Sequence, residues 1–126
     1  MRTILDEHSE LILLKVVDED LLACEVKPAA HQPGRHIGPD PQHFGFILKF
    51  DAVFGYFVLP ELVQVNMGYV YSDNFHYTEI ETSPSLKHFD VADLYLSVKC
   101  RHMVLRTAHY CVNIFTDSEP EIEIAY

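Results

Sequence analysis

The chain has 126 residues, the size of one domain that buries roughly two-thirds of the surface of its unfolded form. A hydrophobic fraction of 48% and 15 aromatic residues (8 Phe and 7 Tyr) exclude disorder for the body of the chain. Nineteen acidic residues against nine basic ones give a net charge of −10, which disfavours nucleic acid and anionic membranes as partners.

Cysteine usage and the absence of targeting signals predict a cytoplasmic protein. No apolar run approaches the roughly 20 residues of a membrane helix, and acidic positions 6 and 7 come too early for a signal peptide. Cys24, Cys100 and Cys111 are odd in number and form no Cys-x-x-Cys pair, so we expect free thiols. Cys24 and Cys100 fall on the apolar side of their strands and are predicted to be buried.

The first 26 residues predict a turn or short helix over 2–9 and a β-hairpin over 11–26. Apolar residues alternate with polar ones in both halves of the hairpin. A three-residue connection at 18–20 pairs Val16 with Leu22. The same register pairs Leu14 with Cys24, which places the apolar set of both strands on one face.

Residues 28–45 are predicted to form a long loop, because four prolines and three glycines exclude both a helix and a central strand. The loop carries five candidate catalytic side chains, which are His31, Arg35, His36, Asp40 and His43. With Asp40, its histidines suit a two-His-one-carboxylate metal set or a general base, and Arg35 suits an anionic group. His31, His36 and His43 fit no metal signature in their spacing, so a solvated surface loop is favoured over a metal site. No cofactor is predicted.

The middle of the chain predicts strands at 44–50 and 53–59, rich in aromatic residues. The stretch 44–57 is apolar on both faces, so it needs cover from a helix, a second sheet or another subunit, and a homodimer is the simplest choice. Residues 62–71 alternate on odd positions as a strand does, although Pro60 and Glu61 also suit the start of a short helix before Gly68. A turn at 73–74 leads into a strand at 75–82.

Alternation over 94–104 and 108–116 predicts two further strands with even positions facing the core on both. The segment between them and the preceding strand opens with Pro84, which suits one helical turn. Residues 121–125 predict a last edge strand. About eight strands at this spacing indicate an all-β, single-domain antiparallel sandwich or barrel over 1–126, with or without one short helix.

Cys100, His102, His109 and Cys111 suggest a tetrahedral zinc site, since each is a common zinc ligand. Even positions facing inward on both strands would place Cys100 and His102 on the opposite face from the other two. Bringing all four together would move four apolar side chains out of the core, at about 1.5–3 kcal/mol for each large one. The zinc site is therefore disfavoured.

Glu119, Glu121 and Glu123 alternate with isoleucines and form an acidic stripe near the C-terminus. Like charges about 7 Å apart repel each other, so the stripe needs water or nearby cations. Two interpretations remain open. Lys99 and Arg101 are available as internal partners, and a basic protein partner is the functional alternative.

The sequence contains no nucleophile elbow, phosphate loop, dinucleotide fingerprint or zinc-protease motif. Its size and charge are typical of inhibitor-like or immunity-like proteins and of subunits of oligomeric assemblies. We therefore predict a non-catalytic, acidic protein-binding module with a protein partner of basic character. The alternative is a small-ligand-binding or metal-dependent β-barrel enzyme that uses the histidine-rich loop at 31–43.

Overall fold

The computed structural model describes residues 2–29, 45–86 and 100–125. Within these ranges the chain forms nine strands, one short α-helix and two 3-10 helices. The strands are β1 (Leu11–Asp18), β2 (Leu22–Pro28), β3 (Gly45–Phe50), β4 (Val53–Pro60), β5 (Val70–Tyr71), β6 (Tyr77–Glu81), β7 (Arg101–Arg106), β8 (Tyr110–Thr116) and β9 (Glu121–Ala125). Helix α1 spans Glu61–Asn66, and the 3-10 helices span Ile4–Glu7 and Pro84–Leu86.

The strands form two antiparallel sheets that pack as a sandwich. One sheet has the order β1-β2-β3-β9 and the other has the order β4-β8-β7-β6-β5. This architecture confirms the predicted all-β fold with one short helix. In the part of the chain that the structure describes, no helix has the length and apolar character needed to cross a membrane.

The core lies between the sheets and is built from alternate residues of the central strands. The first sheet contributes Leu22, Cys24, Val26, Phe46, Leu48 and Phe50, and the second contributes Tyr77, Met103, Leu105, Val112 and Ile114. Leu5, in the first 3-10 helix, is fully buried in the same cluster. At the start of β3, a side chain on Gly45 would place its Cβ only 2.8 Å from the Val26 carbonyl oxygen, so close packing of β2 and β3 requires glycine there.

The predicted first hairpin is confirmed, but its register is shifted by two residues. Val16 pairs with Cys24, and the ladder is interrupted by a bulge at Leu14. A bulge inserts one extra residue and reverses the alternation beyond it. Leu11 and Leu13 therefore pack on the core, while Leu14 is 54% exposed.

The strand phase expected for the pair 94–104 and 108–116 is wrong on β7. Met103 pairs with Ile114 and Arg106 with Cys111, so odd residues of β7 share a face with even residues of β8. Met103 and Leu105 thus face the core, and His102 faces the opposite side of the sheet. Both sides of these central strands are buried, and alternation alone therefore does not identify the inner face.

Residues 61–66 adopt the helical alternative rather than a strand. Pro60 precedes the helix, and Gly68 ends it with a φ of 69°, a left-handed conformation that glycine adopts without strain. Only Val70–Tyr71 of the expected strand over 62–71 is extended. The predicted edge strand at the C-terminus is confirmed as β9, which pairs with β3.

Prediction on thiol reactivity. Cys24 and Cys111 are buried, whereas Cys100 is half-buried, so the expectation that Cys100 is buried is wrong. Burial raises the pKa of Cys24 to about 12 from 9.0, which makes its thiolate roughly a thousandfold scarcer at neutral pH. In variants that each retain one cysteine, a disulfide reagent should label Cys100 first. Fast labelling of Cys24 in the native protein would contradict the observed packing.

Prediction on the buried tyrosine. Among the described residues, the Tyr77 hydroxyl is buried and has no hydrogen-bond partner. Removing an unsatisfied hydroxyl leaves the packing of the ring intact, so Tyr77→Phe should raise the unfolding free energy by up to about 1 kcal/mol. Tyr71→Phe is the matched control, because the Tyr71 hydroxyl accepts a hydrogen bond from Gln64 Nε2 at 3.3 Å. Denaturant unfolding should show a loss for the control and none for Tyr77→Phe.

Candidate functional site

The five candidate catalytic residues of the long loop lie outside the described residues. They are His31, Arg35, His36, Asp40 and His43. Their role in chemistry or metal binding remains a prediction.

Two glutamates of the acidic stripe form ion pairs within the chain. Glu119 binds Arg101 with an N–O distance of 2.7 Å, and Glu123 binds Lys49 at 3.0 Å. Glu121 is exposed. It lies opposite Lys49 in the ladder between β3 and β9, but the Lys49 ammonium binds Glu123. Lys99 lies outside the described residues. Internal pairing thus accounts for two of the three charges, and binding of a partner by this stripe remains a prediction.

The four zinc candidates are not arranged as the sequence indicated. His102 and Cys111 share the outer face of the five-stranded sheet, whereas His109 is exposed in the turn and Cys100 is half-buried before β7. The predicted separation of Cys100 and His102 from His109 and Cys111 by strand face is therefore wrong for His102 and Cys111, which share a face. Across residues 2–29, 45–86 and 100–125, no three His, Cys, Asp or Glu side chains are placed to hold a metal ion together.

A buried hydrogen-bond network that the sequence did not reveal lies on the outer face of the five-stranded sheet. The Ser83 hydroxyl donates to His102 Nδ1 at 2.6 Å, and His102 Nε2 donates to Asn113 Oδ1 at 2.9 Å. Asn113 Nδ2 donates to Gln64 Oε1 at 2.8 Å, and Gln64 Nε2 returns a bond to Asn113 Oδ1 at 3.1 Å. The amide orientation fixes the imidazole tautomer, since Asn113 Oδ1 can only accept.

The order of Ser83, His102 and Asn113 in this network resembles that of a nucleophile, a base and an orienting group. The network is nevertheless closed to substrate. His102 is fully buried and Ser83 is 7% exposed. The rings of Phe115, Tyr69 and Phe57 lie 4.4, 5.3 and 6.2 Å from the imidazole, measured between ring centroids. Gln64 is the buried residue of α1, so the network fastens the helix to the sheet.

The inner face of β4 presents a row of partly exposed apolar side chains next to a cleft. Tyr56 pairs with Ile114 and Val58 with Val112, so even residues of β4 lie on the inner face of the sheet. Phe54, Tyr56 and Val58 are nevertheless 36%, 36% and 37% exposed. The four-stranded sheet thus stops short of β4, and about a third of each of these side chains remains exposed.

The cleft lies where the β1–β2 turn approaches the β3–β4 turn. It has a volume of about 440 Å³ and is lined by Asp18, Asp20, Leu22, Phe50, Asp51, Val53, Phe54, Gly55 and Tyr56. Its three aspartates stand apart from the ion pairs within the described residues, whose acidic partners are Glu25, Glu79, Glu119 and Glu123. Asp51 accepts a hydrogen bond from the Ser118 hydroxyl at 3.0 Å.

Carboxylates next to aromatic rings are suited to a Lys or Arg side chain, which gains an ion pair and a cation–π contact together. We call the row Phe54, Tyr56 and Val58, together with Asp18, Asp20 and Asp51 of the cleft, the β4 surface. The sequence carried two signals for it. The strand 53–60 is apolar on both faces, and acidic turns occur at 18–20 and at 51.

The chain matches no family model, no curated protein and no solved structure.

Prediction on pH and the His102 network. Burial lowers the pKa of His102, although its bond to Asn113 opposes this shift. The folded protein therefore binds fewer protons at this site than the unfolded chain, whose histidine titrates near about 6.5. The resulting stability is complete above about pH 6.5 and is lost as the pH falls toward the lower folded value, by at most about 1.4 kcal/mol per pH unit.

Unfolding free energies at pH 5 to 7 test this effect against a matched pair of variants. His102→Gln should reduce the slope between pH 6.5 and 5, whereas His109→Gln, at an exposed turn position, should leave it unchanged. An NMR titration in which the His102 ring protonates at or above pH 6.5 would contradict the argument.

Proposed function

We propose that this protein is an acidic protein-binding module whose β4 surface docks a basic segment of a partner protein. The observation that carries the proposal is the exposed apolar row of β4 beside a cleft with three aspartates. Apolar contact supplies affinity, and the carboxylates select the charge of the partner.

The apolar part of the β4 surface has the composition of an interaction hot spot. Phe54 and Tyr56 are large and rigid, so little conformational entropy is lost when a partner covers them. Tyr56 and Val58 are paired with Ile114 and Val112 of β8, and this ladder keeps β4 in place before binding. Full burial of a large apolar side chain is worth about 1.5–3 kcal/mol, and the exposed parts of three provide a useful fraction of that.

Charge favours a basic partner over a second copy of the chain. Asp51 stands just before β4 and Glu61 just after it. In a two-fold, antiparallel contact between two β4 strands, Asp51 of one copy would approach Glu61 of the other. With a net charge of −10 on each copy as well, self-association is opposed both locally and at long range. The homodimer expected from the sequence is therefore the competing outcome of the test.

The experiment combines site-specific crosslinking with charge reversal. A benzophenone amino acid in place of Val58 identifies the protein that contacts the surface in cells. The association rate of that purified protein is then measured by stopped flow over a range of salt concentrations. The test variant carries Asp18→Lys, Asp20→Lys and Asp51→Lys. The control carries Glu7→Lys, Glu10→Lys and Glu81→Lys, at exposed acids outside the surface.

Both triple variants have the same net charge, since three changes of +2 take −10 to −4. The test variant should associate at least about tenfold more slowly at low salt and lose most of its salt dependence. The control should differ little from the natural sequence. Equal slowing of both variants, or crosslinks that join only copies of this chain, would overturn the proposal.

A further inference from the structure

We infer that the partner supplies a β-strand, which pairs with the open edge of β4 and extends the five-stranded sheet. This inference rests on the proposed function and specifies how the partner binds. Strand β4 ends the sheet order and pairs with β8 on one side. Within residues 2–29, 45–86 and 100–125, no strand pairs with its other side. Such an edge presents a row of N–H and C=O groups that a second chain can satisfy.

Among the described strands, the other three sheet edges carry features that discourage strand addition, whereas β4 departs from regular pairing only at its start, between Val53 and Gly55. Strand β1 carries Lys15 and a bulge at Leu14, and β9 carries Glu121 and Glu123. Strand β5 is only two residues long. Charges, bulges and short length are the usual means by which natural sheets protect their edges.

Strand β4 has eight residues, Val53–Pro60, and none of them is charged. Its register with β8 shifts between Val53 and Gly55 and is regular from there to Pro60. Proline lacks an N–H group, so it marks the end of the segment that can pair on both sides. The regular part thus provides an edge of about five residues, which is a common strand length.

Alternation of side chains then defines the chemistry of the added strand. Every second residue of that strand faces the same side as Tyr56 and Val58. A Lys or Arg on this side, at the end near Asp51, reaches the carboxylates of the cleft. Apolar residues further along contact Val58. The occupant is thus an extended basic segment in which the residues on one face, at every second position, are Lys or Arg at one end and apolar further along.

Peptide probes test strand pairing separately from charge. The parent probe is a capped, fluorescent heptapeptide with arginine at positions 1 and 3, valine at positions 5 and 7, and threonine at the even positions, so that arginine and valine share one face. Two derivatives carry N-methyl groups on all odd-position amides or on all even-position amides. Each derivative blocks one edge of the extended peptide and keeps its full charge. Binding is measured by fluorescence anisotropy, and the amides of residues 55–59 are followed by NMR and hydrogen exchange.

The parent probe should bind the natural sequence and slow the exchange of β4 amides. One of the two N-methylated derivatives should bind at least tenfold more weakly, because its blocked edge is the one that faces β4. The control variant with Glu7→Lys, Glu10→Lys and Glu81→Lys should bind the parent probe as the natural sequence does.

Three results would overturn strand pairing. If both N-methylated derivatives bind as well as the parent probe, contact is through side chains, and the proposed function still stands. If the outward amides of β4 are already protected from hydrogen exchange in the free protein, a segment of this chain or a second copy occupies the edge. Dilution distinguishes the two cases, because it releases only a second copy. If the parent probe fails to bind while the crosslinked partner responds to charge reversal, the partner does not bind as a strand.

Discussion

The pairing of β7 with β8 is the constraint on which the rest of the structure depends. By placing Met103 opposite Ile114, it sends one set of side chains into the core and the other to the outer face of the sheet. A shift of one residue would exchange the two sets. The outer set contains His102 and Asn113 beside the apolar Val104 and Cys111, so the same register that forms the core also places a buried polar network within the outer layer.

That buried polar network explains why α1 has its unusual orientation. An amphipathic helix normally buries its apolar residues, but here Gln64 is buried while Leu62 and Val65 are 80% and 69% exposed. A buried amide is tolerated only when it is fully hydrogen-bonded, and the reciprocal bonds between Gln64 and Asn113 meet that requirement. Two amide hydrogen bonds thus set the orientation of the helix. Leu62 and Val65 face the solvent as a consequence.

Alternation of apolar residues in the sequence was sufficient to identify the inner face of a strand where only one face is buried. This holds for Phe46, Leu48 and Phe50 on β3 and for β9 at the edge. It was insufficient where both faces are buried, because apolar residues on β7 then occupy either phase. The bulge at Leu14 leaves no local signature, since it is decided by the fit of β1 onto the core. The β4 surface joins Asp18 and Asp51 through the order of three strands, and no spacing in the sequence encodes that proximity.

An uncharged edge strand is ordinarily a risk for aggregation, and the distribution of charge in this protein offers a physical reason why it is tolerated. Charged residues occur within the long edge strands β1 and β9, whereas at β4 they flank the strand at Asp51 and Glu61. Charges at the ends leave the backbone accessible but make the approach of another copy with a net charge of −10 unfavourable. The same field attracts a chain of opposite sign. Under the proposed function, the acidic excess therefore opposes self-association and favours a basic partner. The difference between the affinities for these two partners is what makes the interaction specific.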